Sequence, residues 1–275
     1  MRGMSFWFCL GLVGCGVSSE DSDSDTGPIP NPYAVPESCP ELKTGTVELE
    51  VDGQTRVLEV ELPTNPQGAP VVFAWHWLGG NATQILDLMG MRRLAGEGYI
   101  VIAPESSGLQ FEWDSSTRGR QNPDLALLDD VLGCSYEQFT HDPDAVYATG
   151  MSAGGLFSTF LTFHRADVLA ATAIFSGGTD QSSYVTPARE IPVLVTWGGP
   201  TDTYGGFQFE AASQLLISSL EADGSPAFPC VHSLGHLPPP ESLTMVKAFF
   251  GAHHRGEESP WLSGPPESLP SYCSW

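Results

Sequence analysis

The chain has 275 residues, 33 of them acidic against 11 basic, and a formal net charge of −22. An acidic excess this large argues against nucleic acid and anionic lipid surfaces as partners, since both are held by clustered Lys and Arg. The length suits one large α/β domain with its own core.

At the start of the chain, Arg2 precedes the apolar run Phe6-Trp7-Phe8-Cys9-Leu10-Gly11-Leu12-Val13. Such a run fits a signal-peptide core and is too short to span a bilayer, so residues 1–14 are expected as a signal peptide. Leu12-Val13-Gly14-Cys15 resembles the bacterial lipobox, which predicts lipidation of Cys15; an ordinary secretory peptide is the alternative. Residues 15–38 read as a linker, with a self-repelling Ser/Asp/Glu run at 18–25 and Pro28, Pro30, Pro32 and Pro36 keeping it extended. The folded domain is expected over residues 39–275. The protein is then exported and held at the cell surface or in the periplasm through the lipid alone, or else secreted.

Cys39, Cys134, Cys230 and Cys273 remain after Cys9 and Cys15 are set aside. An even number outside the cytoplasm predicts two disulfides, with connectivity open. No CxxC or Cys/His cluster has zinc spacing, so neither a metal nor a cofactor is expected.

Alternating residues around Asp52-Gly53 predict a β-hairpin. Val71 to Trp75 is a buried strand, followed by the loop Gly79-Gly80-Asn81 and a helix over 83–96. Tyr99 to Ala103 is the next strand, 105–122 reads as loop, and Pro123 opens a helix to about Leu132. Residues 145–150 form a fifth strand and 156–165 a helix. Strands at 171–175 and 193–197, a helix at 207–222, a short strand at 229–232 and a helix at 241–251 complete the core. The Pro-, Ser- and Glu-rich tail beyond Gly251 is expected to drape over the surface. Strands alternating with helices predict an α/β fold: a mainly parallel central sheet, helices on both faces and an N-terminal hairpin.

The fifth strand leads into Gly150-Met151-Ser152-Ala153-Gly154-Gly155, the G-x-S-x-G nucleophile elbow of α/β-hydrolases. A serine at the tip of a tight strand-to-helix turn needs small neighbours two residues either side. The Ala153 N–H at the helix start faces where a tetrahedral oxyanion forms. In this order of elements the triad runs Ser, Asp or Glu, then His. Asp202, beyond the strand ending at Trp197, is the expected acid, with Asp180 in reserve. His236, in the loop Gly235-His236-Leu237-Pro238, is the expected base. His232, His253 and His254 also follow the acid but lie in a strand or at a helix end. The second oxyanion donor is expected from the loop after the Val71–Trp75 strand, as the N–H of Leu78 or Trp77, with His76 shaping that loop. Trp75, Trp113 and Trp197, at strand ends or in loops, are candidates for stacking on substrate.

With these residues in place, the region 46–252 resembles the polyhydroxybutyrate depolymerase and feruloyl/acetylxylan esterase family of secreted α/β-hydrolases. The resemblance rests on the His76 loop, Asp129, Asp142-Pro143-Asp144-x-Val146-Tyr147, the Ser152 elbow and Phe175-Ser176-Gly177-Gly178. Two departures stand out. The family usually has His-Gly at His76-Trp77, and His-Gly-x-x-Asp where Trp197 to Asp202 lacks the histidine and is one residue longer. The resemblance implies a serine esterase acting through an acyl-enzyme on polysaccharide-linked acetyl or feruloyl esters, or on hydroxyalkanoate polyesters. The alternatives are an inactive lipid-anchored binding protein of the same fold and a serine peptidase.

Overall fold

The computed structural model describes residues 31–264 and 266–274. The expected signal peptide, Cys15 and the linker up to residue 30 lie outside the described residues.

β1 (Gly45–Val51) and β2 (Gln54–Glu61) form the expected antiparallel hairpin, with Asp52 and Gly53 both at positive φ in the turn. Two left-handed residues match the twist of the flanking strands, which is why Asp-Gly closes such hairpins. The strands that follow are β3 (Val71–Trp75), β4 (Ile100–Pro104), β5 (Val146–Met151), β6 (Ala171–Phe175) and β7 (Val193–Trp197). A separate small hairpin, β8 (Thr203–Tyr204) with β9 (Phe207–Gln208), precedes β10 (Ala227–Val231). The main sheet has eight strands in the order β1-β2-β4-β3-β5-β6-β7-β10. It is parallel from β4 to β10, and antiparallel only where β2 meets β1 and β4.

Helices α1 (Ala82–Leu88), α2 (Pro123–Phe139), α3 (Ala153–His164), α4 (Phe209–Ala222) and α5 (Ser242–Phe250) cover both faces. Side chains alternate along each strand, so the two faces bury different residues of it. Val71, Phe73 and Trp75 pack with Leu128 of α2, Phe157 of α3 and Leu216 of α4. Val72 and Ala74 pack with Ile85 of α1 and Phe249 of α5. Each fully buried side chain of this size contributes about 1.5–3 kcal/mol. The arrangement is the α/β-hydrolase layout, and it gathers the loops leaving the C-terminal ends of β3 to β10 along one edge of the sheet.

Local departures from the sequence reading have identifiable causes. The helix expected over 83–96 is divided: α1 ends, Gly90 turns left-handed at φ +69°, and a 3-10 helix follows over Met91–Glu97. α2 runs past Leu132 to Phe139 because its buried face continues through Cys134 and Tyr136. The helix expected from residue 207 begins only at Phe209, after β9. Residues 31–38, expected as the end of the linker, pack on α2: Asn31 Nδ2 donates to Gly133 O at 3.2 Å and the Tyr33 ring meets Tyr136.

The four cysteines pair as Cys39–Cys134 and Cys230–Cys273. The second bridge and two backbone hydrogen bonds, Val231 N–H to Tyr272 O and Ser274 N–H to Pro229 O, fasten the chain end along β10. With Trp261 also buried, the tail is pinned to the body rather than draped over it.

Candidate active site

Ser152 occupies the turn between β5 and α3 at φ +57°, ψ −115°, a conformation an L-residue adopts only under constraint. The constraint comes from close backbone contact on all sides. A Cβ on Gly154 would lie 1.9 Å from Trp75 O, one on Gly150 2.4 Å from Gly154 O, and one on Gly155 2.5 Å from Phe175 O. All three glycines of the elbow are therefore set by packing of β5 and α3 against the ends of β3 and β6. Ser152 N–H donates to Phe175 O at 3.0 Å, and Ser152 O accepts from Leu156 N–H at 2.8 Å. Ala153, as the first residue of α3, has an N–H that no helical carbonyl can satisfy.

His236 lies in the loop between β10 and α5. Its Nε2 is 2.9 Å from Ser152 Oγ and its Nδ1 is 2.6 Å from Asp202 Oδ1. A carboxylate on Nδ1 places the ring proton there and leaves Nε2 to accept from the serine hydroxyl. Asp202 is completely buried. Its other oxygen, Oδ2, accepts from Ser176 Oγ at 2.7 Å and from Gly198 N–H at 2.9 Å, so both carboxylate oxygens have partners. The 3-10 turn Gly199–Thr201 directly precedes Asp202, whose N–H donates to Gly199 O at 3.0 Å.

The remaining candidates are placed elsewhere. Asp180 is exposed and accepts from the backbone and hydroxyls of Ser182 and Ser183, which hold its carboxyl below the usual range. His232 lies just past β10, not within it, and its Nδ1 accepts the Leu234 N–H. His253 is buried between Phe249 O and Ser259 Oγ, and desolvation lowers its pKa. His254 is exposed in the turn after α5. His76 is buried below the loop that carries Trp77 and Leu78, with Nδ1 2.9 Å from Trp77 O.

The tryptophans require a correction. Trp75, Trp113 and Trp197 are at most 4% exposed, so none offers a ring face to substrate. Trp75 stands on the α2–α3–α4 side of the sheet, edge-on to Trp113 and Phe157. Trp113 is additionally tied down by its Nε1–H on His76 O. A position at a strand end does not decide which layer a side chain enters; strand parity does.

Two features escaped the sequence reading. The His236 ring stacks with Tyr204, at 5.6 Å and 26°, and with Phe209, at 4.4 Å and 24°. Tyr204 is on the small β8–β9 hairpin, whose signal was the Gly205-Gly206 pair between two aromatic residues. Ser176 supports the acid from the end of β6, a contact across 26 residues with no local signature. Among the described residues, no group of three His, Cys, Asp or Glu side chains is placed to hold a metal ion.

The profile of the Dienelactone hydrolase family matches residues 59–208. A putative esterase, NocK, of Nocardia uniformis subsp. tsuyamanensis is 29% identical over 165 residues, covering 55% of this chain and 46% of its own length. Feruloyl esterase B of Thermothelomyces thermophilus is 30% identical over 123 residues, covering 42% of this chain and 41% of its own. The chain thus spans about half the length of the curated relatives it matches. Among solved structures, native sOPH superposes with a TM-score of 0.69 at 18% identity, covering 86% of this chain and 95% of that one. At that identity the likeness concerns the fold alone.

Proposed function

We propose that this chain, which belongs to the dienelactone hydrolase family, is an exported serine esterase that hydrolyses carboxylic esters through an acyl-enzyme. The observation that carries the reading is the continuous hydrogen-bond path from Ser152 Oγ through His236 to the buried Asp202. In the proposed reaction His236 Nε2 takes the Ser152 proton as Oγ attacks the ester carbonyl. Asp202 holds the ring in orientation and stabilises the imidazolium that forms. The carbonyl oxygen becomes negative beside the N–H of Ala153 and that of Leu78 or Trp77. Collapse of the tetrahedral intermediate returns the proton to the departing alcohol, and water then releases the acid by the same path. The aromatic faces of Tyr204 and Phe209 favour the charged ring in the transition state.

The substrate class proposed is a neutral ester: acetyl or feruloyl groups on polysaccharide, or hydroxyalkanoate polyesters. The relatives named as feruloyl esterases support it. So does the surface around Ser152. The loops leaving the sheet on this side expose Leu78, Phe111, Tyr204, Phe207, Leu234 and Leu237, a largely apolar rim. Export is supported by the two disulfides and by the apolar N-terminal run. Anchoring through Cys15 remains part of the proposal, tested by membrane association of Cys15→Ser.

Labelling with a fluorophosphonate probe tests the mechanism. Wild type is expected to label and Ser152→Ala is not; equal labelling of the two overturns the reading. A panel of p-nitrophenyl acetate, methyl ferulate, acetylated xylan and hydroxybutyrate oligomers then separates the substrates.

A further inference from the structure

The turn bearing Trp77 and Leu78 is held by side chains from a different loop. Gly80 N–H donates to Trp77 O at 2.9 Å, closing a turn with Leu78 and Gly79 at its corner and Gly79 at φ +74°. His76 Nδ1 lies 2.9 Å from the same carbonyl and, since a carbonyl only accepts, carries its proton there. The β4–α2 loop meets this region at three points. Glu112 Oε1 accepts the Gly79 N–H at 2.7 Å, Trp113 Nε1 donates to His76 O at 2.9 Å, and Glu105 Oε1 accepts the Ala82 N–H at 3.0 Å.

Glu112 is an unusual residue in its own right. Its backbone is left-handed at φ +67°, in a turn where its N–H donates to Leu109 O at 2.9 Å. Its second oxygen accepts the Ser106 hydroxyl. Burial by itself would raise the pKa of the Glu112 carboxyl. The hydrogen bonds from Ser106 and Gly79, with the nearby His76, outweigh it and keep the group below the usual range. A strained backbone thus holds a charged acceptor on one amide of the turn, and a hydrogen bond to an ionised acceptor is about twice as strong as a neutral one.

We propose that Glu112 is a positioning residue for the acyl-transfer step: by gripping the Gly79 N–H it fixes the Trp77–Gly80 turn so that the adjacent backbone N–H faces the oxygen that becomes negative at Ser152. The proposal rests on the serine-esterase reading. Its physical basis is that the second oxyanion donor, beside Ala153 N–H, is a backbone amide of a glycine-containing turn. The Gly80 N–H and the His76 ring both hold the Trp77 carbonyl, whereas the Gly79 amide is held by Glu112. Small displacements of such a donor weaken stabilisation of the transition state far more than binding of the ground state.

The test compares wild type, Glu112→Ala, Glu112→Gln and Ser106→Ala for kcat and KM on p-nitrophenyl acetate, for inhibition by an arylboronic acid, and for Tm. The boronate forms a tetrahedral adduct on serine and so reports the oxyanion geometry. Glu112→Ala is expected to lower kcat about 10- to 100-fold, with KM within about threefold and boronate affinity falling in step with kcat. Glutamine keeps an amide oxygen for the Gly79 N–H and is expected to restore kcat to within about fivefold of wild type. Ser106→Ala, which leaves Glu112 in place but loses its second partner, should fall between. Unchanged kcat in Glu112→Ala overturns the proposal, as does an equal loss in Glu112→Gln or a loss carried by KM and Tm together. Should Glu112→Ala not fold, an unchanged kcat in Ser106→Ala or a glutamine variant as poor as about 10-fold below wild type overturns it equally. Failure of the underlying reading is seen separately, in wild type: absence of Ser152-dependent labelling removes both.

Discussion

Gly198 and Gly235 touch backbone to backbone: a Cβ on Gly198 would lie 1.9 Å from the carbonyl oxygen of Gly235. The contact joins the loop of the candidate acid to the loop of the candidate base, since Gly198 N–H donates to Asp202 and Gly235 directly precedes His236. A methyl group at Gly198 must therefore move one loop away from the other. Gly198→Ala is expected to lower kcat at least about 10-fold, by disturbing the Asp202–His236 geometry. Gly205→Ala is the control. Gly205 is left-handed at φ +57° but has nothing within 4 Å of its would-be Cβ, so only the backbone cost of about 1–2 kcal/mol applies. Steady-state kinetics with thermal melts distinguishes the two, and equal kcat losses would contradict the loop-contact explanation.

Ser176→Ala removes one of the two donors to Asp202 Oδ2 and leaves a buried acceptor with the Gly198 N–H alone. The expected destabilisation is about 1–3 kcal/mol, together with a several-fold fall in kcat. Urea titration and kinetics on the purified variant check this. A variant as stable and active as wild type would mean that the Ser176 bond does not hold the carboxylate.

Tyr204 is 57% exposed, yet its ring lies on His236. Tyr204→Ala should therefore change stability by no more than about 0.5–1 kcal/mol. It should still reduce kcat several-fold, because one face of the imidazolium loses its aromatic partner. The companion change Phe209→Ala empties a buried site and is expected to cost about 3–5 kcal/mol. If Tyr204→Ala leaves kcat untouched, the stacking has no catalytic consequence.

Far from the active site, His141 is fully buried between the Tyr33 and Tyr136 rings, with Nδ1 3.1 Å from Ser135 Oγ. Desolvation lowers its pKa from 6.5 to about 4. Above pH 6.5 both folded and unfolded states hold it neutral and it adds no pH dependence. Below that the unfolded chain takes up the proton first, so stability falls as pH drops towards about 4, by about 3 kcal/mol in total. Denaturant unfolding at pH 7 and pH 4.5 should show a steeper loss in wild type than in His141→Gln; parallel losses would remove His141 as the cause.

The Cys230–Cys273 bridge closes a span of 43 residues and fastens the tail to β10 just before the His236 loop. Loop-closure entropy sets its contribution at about 4 kcal/mol or less. The double change Cys230→Ala with Cys273→Ala is expected to lower Tm strongly while leaving fluorophosphonate labelling at low temperature intact. Loss of labelling under folded conditions would show that the tail also positions the base loop.

The elements and the elbow could be read from the sequence because their causes are local. Val71 to Trp75 is an apolar run and Val193 to Trp197 is apolar but for Thr196, both buried in full, and the Ser152 turn is specified by glycines within a few residues of it. The expected order of serine, acid and histidine rests on chain topology and needs no distances. Where local signals compete, the structure departs from the simple pattern. Gly90 divided one helix, and the Gly205-Gly206 hairpin displaced the start of another.

What the sequence by itself determined is a mainly parallel α/β sheet with a serine elbow on its fifth strand, four cysteines able to pair, and a strongly acidic chain. That Asp202 rather than Asp180 lies against His236 is a fact of the tertiary structure. Asp180 satisfies its oxygens with its own neighbours Ser182 and Ser183, whereas Asp202 is committed to Ser176, Gly198 and His236. The tertiary structure also turned Trp75, Trp113 and Trp197 into packing residues and brought Glu112 to Gly79 across 33 residues. Strand parity and contacts between separate loops depend on how the layers assemble, and no short stretch of chain encodes them.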